Sequence, residues 1–103
     1  MKNTGAVYAH VRKMTTLPTG EASWQADDYI VFISVAGGGD VVLPNPANNP
    51  GRILIIRNNS IEAGGSGTYA YITYIPVNNP SIAFSRGQIL ISDGTKWYLV
   101  AGV

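Results

Sequence analysis

Arg52-Ile53-Leu54-Ile55-Ile56-Arg57 restricts the fold of this chain more than any other stretch. Six residues are too few for a helix that buries itself, and the β-branched content favours an extended strand. Side chains alternate along a strand, so Ile53 and Ile55 share one face while Leu54 and Ile56 share the other. Both faces are apolar, which predicts a strand covered on both sides. The flanking arginines fall on opposite faces and mark where that cover ends.

Most of the remaining chain reads the same way. Val7 to Arg12 alternates, with Val7, Ala9 and Val11 on one face. Tyr29 to Val35 is aromatic and β-branched, and Gly37-Gly38-Gly39-Asp40 breaks it before Val41-Val42-Leu43. Asn45 to Gly51 is dense in turn formers, and Asn58-Asn59-Ser60 forms another turn. Ile61-Glu62-Ala63 is a candidate short strand, followed by a Gly-rich loop over 64–67. Thr68 to Ile75 is a further strand, ended by Pro76, and Ser81 to Phe84 is a short one. Ile89 to Val100 forms a closing hairpin around Asp93-Gly94, a pair that suits the two positive-φ positions of a type I′ turn. Its last strand is so apolar that it needs a cover. No stretch keeps a helical period beyond two turns. Seven or eight short strands with regular turns predict an all-β fold, an antiparallel β-sandwich or a jelly-roll-like barrel.

Composition adds a demand for partners. Charged residues are only 13% of the chain against about 25% in an average domain, while 46% are hydrophobic. So little charge on 103 residues favours an oligomer that hides part of its surface. The seven cations are scattered, which argues against nucleic acid. There is no cysteine, hence neither disulfide nor thiolate metal site. No apolar run reaches the length of a membrane helix and no hydrophobic leader is visible, so synthesis in a cytoplasm is expected.

Candidate chemistry is sparse. His10, the single histidine, lacks a signalled nucleophile or orienting acid and reads as a solvent-facing strand residue. Asp27 and Asp28 are adjacent, so on a strand they point apart and do not make a hydrolytic acid pair. The glycine triplet at 37–39 lacks the Lys-Ser/Thr of a phosphate loop. Asn58-Asn59-Ser60 matches a glycosylation acceptor, a short pattern common by chance. Trp24, Tyr69, Tyr71, Tyr74, Trp97 and Tyr98 are a possible stacking platform for sugars, or else core and subunit packing. No enzyme, metal or cofactor is expected.

An ordered series carries a resemblance: Asp28-Tyr29-Ile30-Val31, Val41-Val42-Leu43-Pro44, Asn49 to Asn58 around Gly51-Arg52, and Ser92-Asp93-Gly94-Thr95-Lys96-Trp97-Tyr98. Over roughly residues 24–101 the chain resembles the small β-rich domains of bacteriophage tail fibres, head fibres and virion decorations. The resemblance implies a homotrimer with strands packed about a three-fold axis, working as a structural component of the virion. It also implies attachment to a phage capsid or tail protein. The expected division is an N-terminal strand or attachment segment over 1–23 and a β-domain over 24–103. The expected subunit interface is Ile53, Leu54, Ile55 and Ile56 with Trp97, Tyr98, Leu99 and Val100. The alternative is a fibre tip that binds host-surface glycan through Tyr69, Tyr71 and Tyr74, helped by loop asparagines such as Asn48, Asn49, Asn78 and Asn79.

Overall fold

The computed structural model describes residues 9–64, 71–77 and 86–102. Tyr69, Asn78, Asn79, the strand expected at Ser81–Phe84 and the first residues of the one expected from Val7 lie outside these. Seven strands follow in order: β1 (Val11–Met14), β2 (Ile30–Ile33), β3 (Gly39–Val42), β4 (Ile53–Asn58), β5 (Ile72–Ile75), β6 (Gly87–Ser92) and β7 (Trp97–Gly102). Among the described residues the helical content is two single 3-10 turns, Glu21–Ser23 and Pro46–Asn48. In the second, the Asn45 side chain accepts from the Ala47 N–H and Pro46 needs no donor at the first position. Ile61 to Gly64 is a turn and not the strand anticipated for Ile61–Ala63.

The fold is all-β, but it is not antiparallel throughout. One sheet has the order β1-β2-β4-β6-β7, and a second contains β3 and β5. β1, β2 and β4 are mutually parallel, as are β3 and β5; only the β4–β6 and β6–β7 pairs are antiparallel. The reason is a winding path. After β2 the chain crosses into the second sheet as β3 and returns as β4, beside β2 and in the same direction. It repeats the excursion through β5 before β6 reverses the direction. A hairpin pattern in the sequence cannot reveal such crossovers, because they depend on which strands become neighbours.

Hydrogen bonds outside the strands extend this winding. Ser34 N–H donates to Met14 O (2.8 Å) and Asn59 N–H to Ile33 O (2.9 Å), so successive turns of the chain stack at one corner. The Asn59 amide also donates to Ser34 Oγ at 3.0 Å. On the second sheet Val42 N–H reaches Pro18 O (3.1 Å), which sets the stretch after β1 beside β3. Residues 11–23 are therefore built into the same unit as the rest, with β1 paired along its length to β2.

The core takes side chains from both sheets: Met14, Val31, Ile33, Leu54, Ile56, Leu90 and Trp97 from the first, Val41, Ile72 and Tyr74 from the second. Trp24 and Trp97 are buried, and each indole N–H donates to a carbonyl at the end of β3, Val42 O at 2.9 Å and Pro44 O at 2.7 Å. Indoles hide large apolar area only where the N–H finds an acceptor, and these two carbonyls supply it.

The closing hairpin differs in its tip. Ser92 and Trp97 are the last paired residues, which leaves Asp93-Gly94-Thr95-Lys96 as the loop. Gly94 takes the positive φ (92°), while Asp93 contributes through its side chain. Its carboxylate accepts from the Thr95 and Lys96 N–H groups, both at 2.8 Å. These two bonds hold the Asp93 carboxyl below the ordinary carboxylate range. Val100 is the extra residue of a β-bulge opposite the Ile89–Leu90 step.

Candidate assembly surface

The face of the five-stranded sheet turned away from the core carries an apolar row from edge to edge. Register places Val11 beside Ile30, Ile30 beside Ile55, Ile55 beside Ile89, and Ile89 beside Ala101. One apolar residue per strand thus forms a ladder across all five strands. Neighbouring strands lie about 4.8 Å apart, so the ladder is about 19 Å long. A second row, Ile53–Ile91–Tyr98, runs along one side of it, and Phe32 stands on the other side between Lys13 and Arg57. Val11, Tyr98 and Val100 are 50%, 47% and 61% exposed. Scattered apolar side chains on a surface need no explanation, but two adjoining apolar rows, bordered on one side by Lys13 and Arg57, make a candidate interaction site.

Local sequence explains why this face is apolar. In β4 the pattern is strict: Leu54, Ile56 and Asn58 point into the core, while Ile53, Ile55 and Arg57 point out. The strand is apolar on both faces, yet a single chain covers only one of them. The expected interface residues therefore divide. Leu54, Ile56 and Trp97 are buried in the core of the chain itself, and Leu99 packs against that core. They are not available to a neighbouring subunit. Ile53, Ile55, Tyr98 and Val100 are on the outward face.

The charged groups sit at the two rims of this face. At the rim where β1, β2 and β4 end, Lys13 pairs with Glu62, which also accepts from the Asn59 amide at 2.7 Å. The Lys13 and Asn59 bonds lower the Glu62 carboxyl below its ordinary value. Arg57 and Arg86 are exposed at the same rim. At the rim where those strands start, His10 Nε2 lies 3.4 Å from Asp27 Oδ2. The Asp28 side chain is fully buried, and its Oδ2 accepts from Arg12 (2.7 Å) and from the Gln25 N–H (2.8 Å).

Other candidate sites are closed by their own contacts. His10, Asp27 and Asp28 form the one cluster of metal-binding side chains among the described residues, with ligand atoms within 4.8 Å of one another. The Arg12 guanidinium already stands against Asp28, where a bound cation would have to compete with it. A cavity of about 290 Å³ is lined by residues 12–18 with Ala22 and Ser23, and of its two cations Arg12 is engaged by Asp28 and Lys13 by Glu62.

Of the three tyrosines expected to bind glycan, two fall within the described residues. Tyr74 is buried in the core, Tyr71 is half-exposed, and Tyr69 is outside the described residues. Tyr74 is turned into the core from β5 while Tyr71, just before that strand, is half-exposed, so these two do not share one exposed surface. The side-chain amides of Asn48 and Asn49 are turned onto Glu21 Oε1 at 3.3 and 3.2 Å, and Arg52 donates to Asn49 Oδ1 at 2.8 Å. Asn58 and Ser60 have no exposed surface, and Asn58 Oδ1 accepts from the Ser60 N–H, which closes the glycosylation pattern inside the fold.

The outward ladder had a signal in the sequence, since the runs at 53–56 and 89–91 are apolar on both faces. The Arg12–Asp28 and Lys13–Glu62 pairs had none, because they join residues brought together by the winding. Comparisons with protein-family models, with curated proteins and with solved structures give no significant match to this chain.

Proposed function

We propose that this protein is a structural component of a bacteriophage virion, a head fibre, decoration or short tail-fibre element, that works as a homotrimer attached to the particle. The observation that carries the reading is the apolar ladder across the outward face of the five-stranded sheet, centred on Ile30, Ile55 and Ile89. A 103-residue chain gains little by leaving such a face in water, and covering it with copies of itself multiplies the gain without a longer chain. The two sheets are read as the layers of a sandwich, supported by a core drawn from both. The ordered series ending in Ser92 to Tyr98 supports the viral assignment. The protein is made in the host cytoplasm and carried on the virion, and it has no catalytic role.

Light scattering behind a sizing column tests the assembly. The expected mass is three times 11.0 kDa, and a monomer at micromolar concentration sinks the reading. Antibody labelling of purified particles tests the location, with decoration of head or tail as the expected result. Binding to host cells that is lost with Tyr71→Ala would instead favour the glycan-binding alternative.

A further inference from the structure

We propose that Asp93–Gly94 is a modification site held shut by the fold: the pair isomerises to isoaspartate only while the hairpin tip is open, and a tip so modified no longer closes properly. The inference does not depend on the assembly reading above.

The reaction needs nothing but water. Gly94 nitrogen attacks Asp93 Cγ, and an N–Cγ bond forms. One carboxyl oxygen leaves as water, taking the amide proton with it, and a five-membered succinimide ring remains. Water then opens the ring at either carbonyl. Opening at the Asp93 main-chain carbonyl leaves the chain running through the former side chain, with one extra carbon in the backbone. Asp93 is the one aspartate or asparagine in the chain that precedes a glycine, and Gly94 has no Cβ to hinder the approach.

Asp93 is exposed, so burial does not protect it. Hydrogen bonds do, at both reacting atoms. The attacking nitrogen must give up its proton, and the Gly94 N–H donates to Ser92 Oγ at 3.1 Å. Ser92 has no exposed surface, and its hydroxyl donates in turn to Pro46 O at 3.2 Å. The acceptor is therefore fixed, and the amide proton is turned away from solvent. The carboxyl, for its part, must carry a proton to lose water and must turn onto Gly94. Its Oδ1 is tethered by the Thr95 and Lys96 N–H groups, both at 2.8 Å. The same bonds favour the ionised carboxylate, so the protonated form is scarcer than in an open chain.

These contacts also define what the modification undoes. Loop length and turn geometry set the register of a hairpin, and the added carbon lengthens the loop between the paired Ser92 and Trp97. The carboxylate now branches from Cα and loses its place against the Thr95 and Lys96 N–H groups. Chains that isomerise while open thus return to a hairpin with a weakened closing pair.

The full chain is aged at neutral pH, folded in buffer and unfolded in guanidinium chloride. A synthetic peptide of residues 87–96, the tryptic fragment that carries Asp93, is aged in both solvents beside it. Isoaspartate is counted by methyltransferase labelling and located by electron-transfer fragmentation of that fragment. The unfolded chain should match the peptide, and the folded chain should isomerise about tenfold more slowly, or slower still. Equal rates in the folded chain and the peptide overturn the proposal. Ser92→Ala removes the acceptor of the Gly94 N–H and should bring the folded chain toward the peptide rate, with circular dichroism verifying the fold. A folded variant that ages like the parent overturns the role of Ser92, and the parent comparison decides the proposal if the variant does not fold. The isoaspartyl chain, separated by chromatography, should have a lower denaturation midpoint than the parent. An unchanged midpoint overturns the claim that the modified tip fails to close.

Discussion

Replacing Leu54 with alanine removes a side chain that has no exposed surface and sits at the centre of the buried cluster. The expected loss is about 2–5 kcal/mol, the range for a buried leucine that leaves a cavity, read as a drop in the chemical-denaturation midpoint. Tyr74 should behave in the opposite sense. Its ring is buried, but its hydroxyl has no partner among the described residues, and burial pushes its ionisation upward. Tyr74→Phe deletes that orphan group and should gain about 1 kcal/mol; a loss would reveal a partner for the hydroxyl. Gly39 has a φ of 130°, and a Cβ there would lie 2.6 Å from Leu17 Cδ1. Gly39→Ala should cost more than about 1 kcal/mol, since it combines backbone strain with a clash. At this scale the sequence was informative about which residues are apolar and uninformative about which side of a two-faced strand the chain keeps. Leu54 and Ile55 are equivalent in the sequence, and only the position of the second sheet separates them.

The β6–β7 hairpin is the element most clearly written in the chain, and also the one whose turn differs from expectation. Its Asp93 carboxyl is lowered by bonds from the Lys96 and Thr95 backbone. A lowered folded-state value means that the ionised form is favoured by folding. The contribution is therefore complete above the unfolded value of 3.8 and is lost as the pH falls through the lower folded value. In acid the Thr95 and Lys96 amide resonances should shift together, and Asp93→Asn should remove that step from the titration. The other strands were legible within a few residues. Tyr29–Val35 contracted to β2, Val41–Leu43 moved back to begin at Gly39, and the first strand lies later than Val7–Arg12, at Val11–Met14. Alternation locates extended segments, but their ends are set by pairing, and Met14 is held by a bond to Ser34 that no local pattern announces.

For the whole molecule, strand content was readable and strand direction was not. Turn formers between apolar runs suggest hairpins, whereas β3 and β5 carry the chain into a second sheet and return it in the same sense. The outward ladder lies where the apolar pattern exceeded what one sheet face requires, so the surplus was visible while its place was not. The assembly proposed above would draw on apolar burial at that ladder. Ile55→Asp should leave far-UV circular dichroism intact yet shift the mass toward monomer, because it places a charge in the contact.

The winding path also sets an order of events in time. β1 and β2 are separated by the long stretch with its 3-10 turn, β2 and β4 by the whole of β3, and β4 and β6 by β5. Each of these closures costs more chain entropy than the four-residue loop between β6 and β7. The hairpin is thus the first pairing available, and β4 can then join it as the template for β2 and β1. Folding should therefore travel from the late strands back toward the early ones, against the direction of synthesis. Ile91→Val should slow refolding in stopped-flow measurements, while Val31→Ala should act mainly on unfolding. A newly made chain would have to wait for its last strands before its first ones could settle.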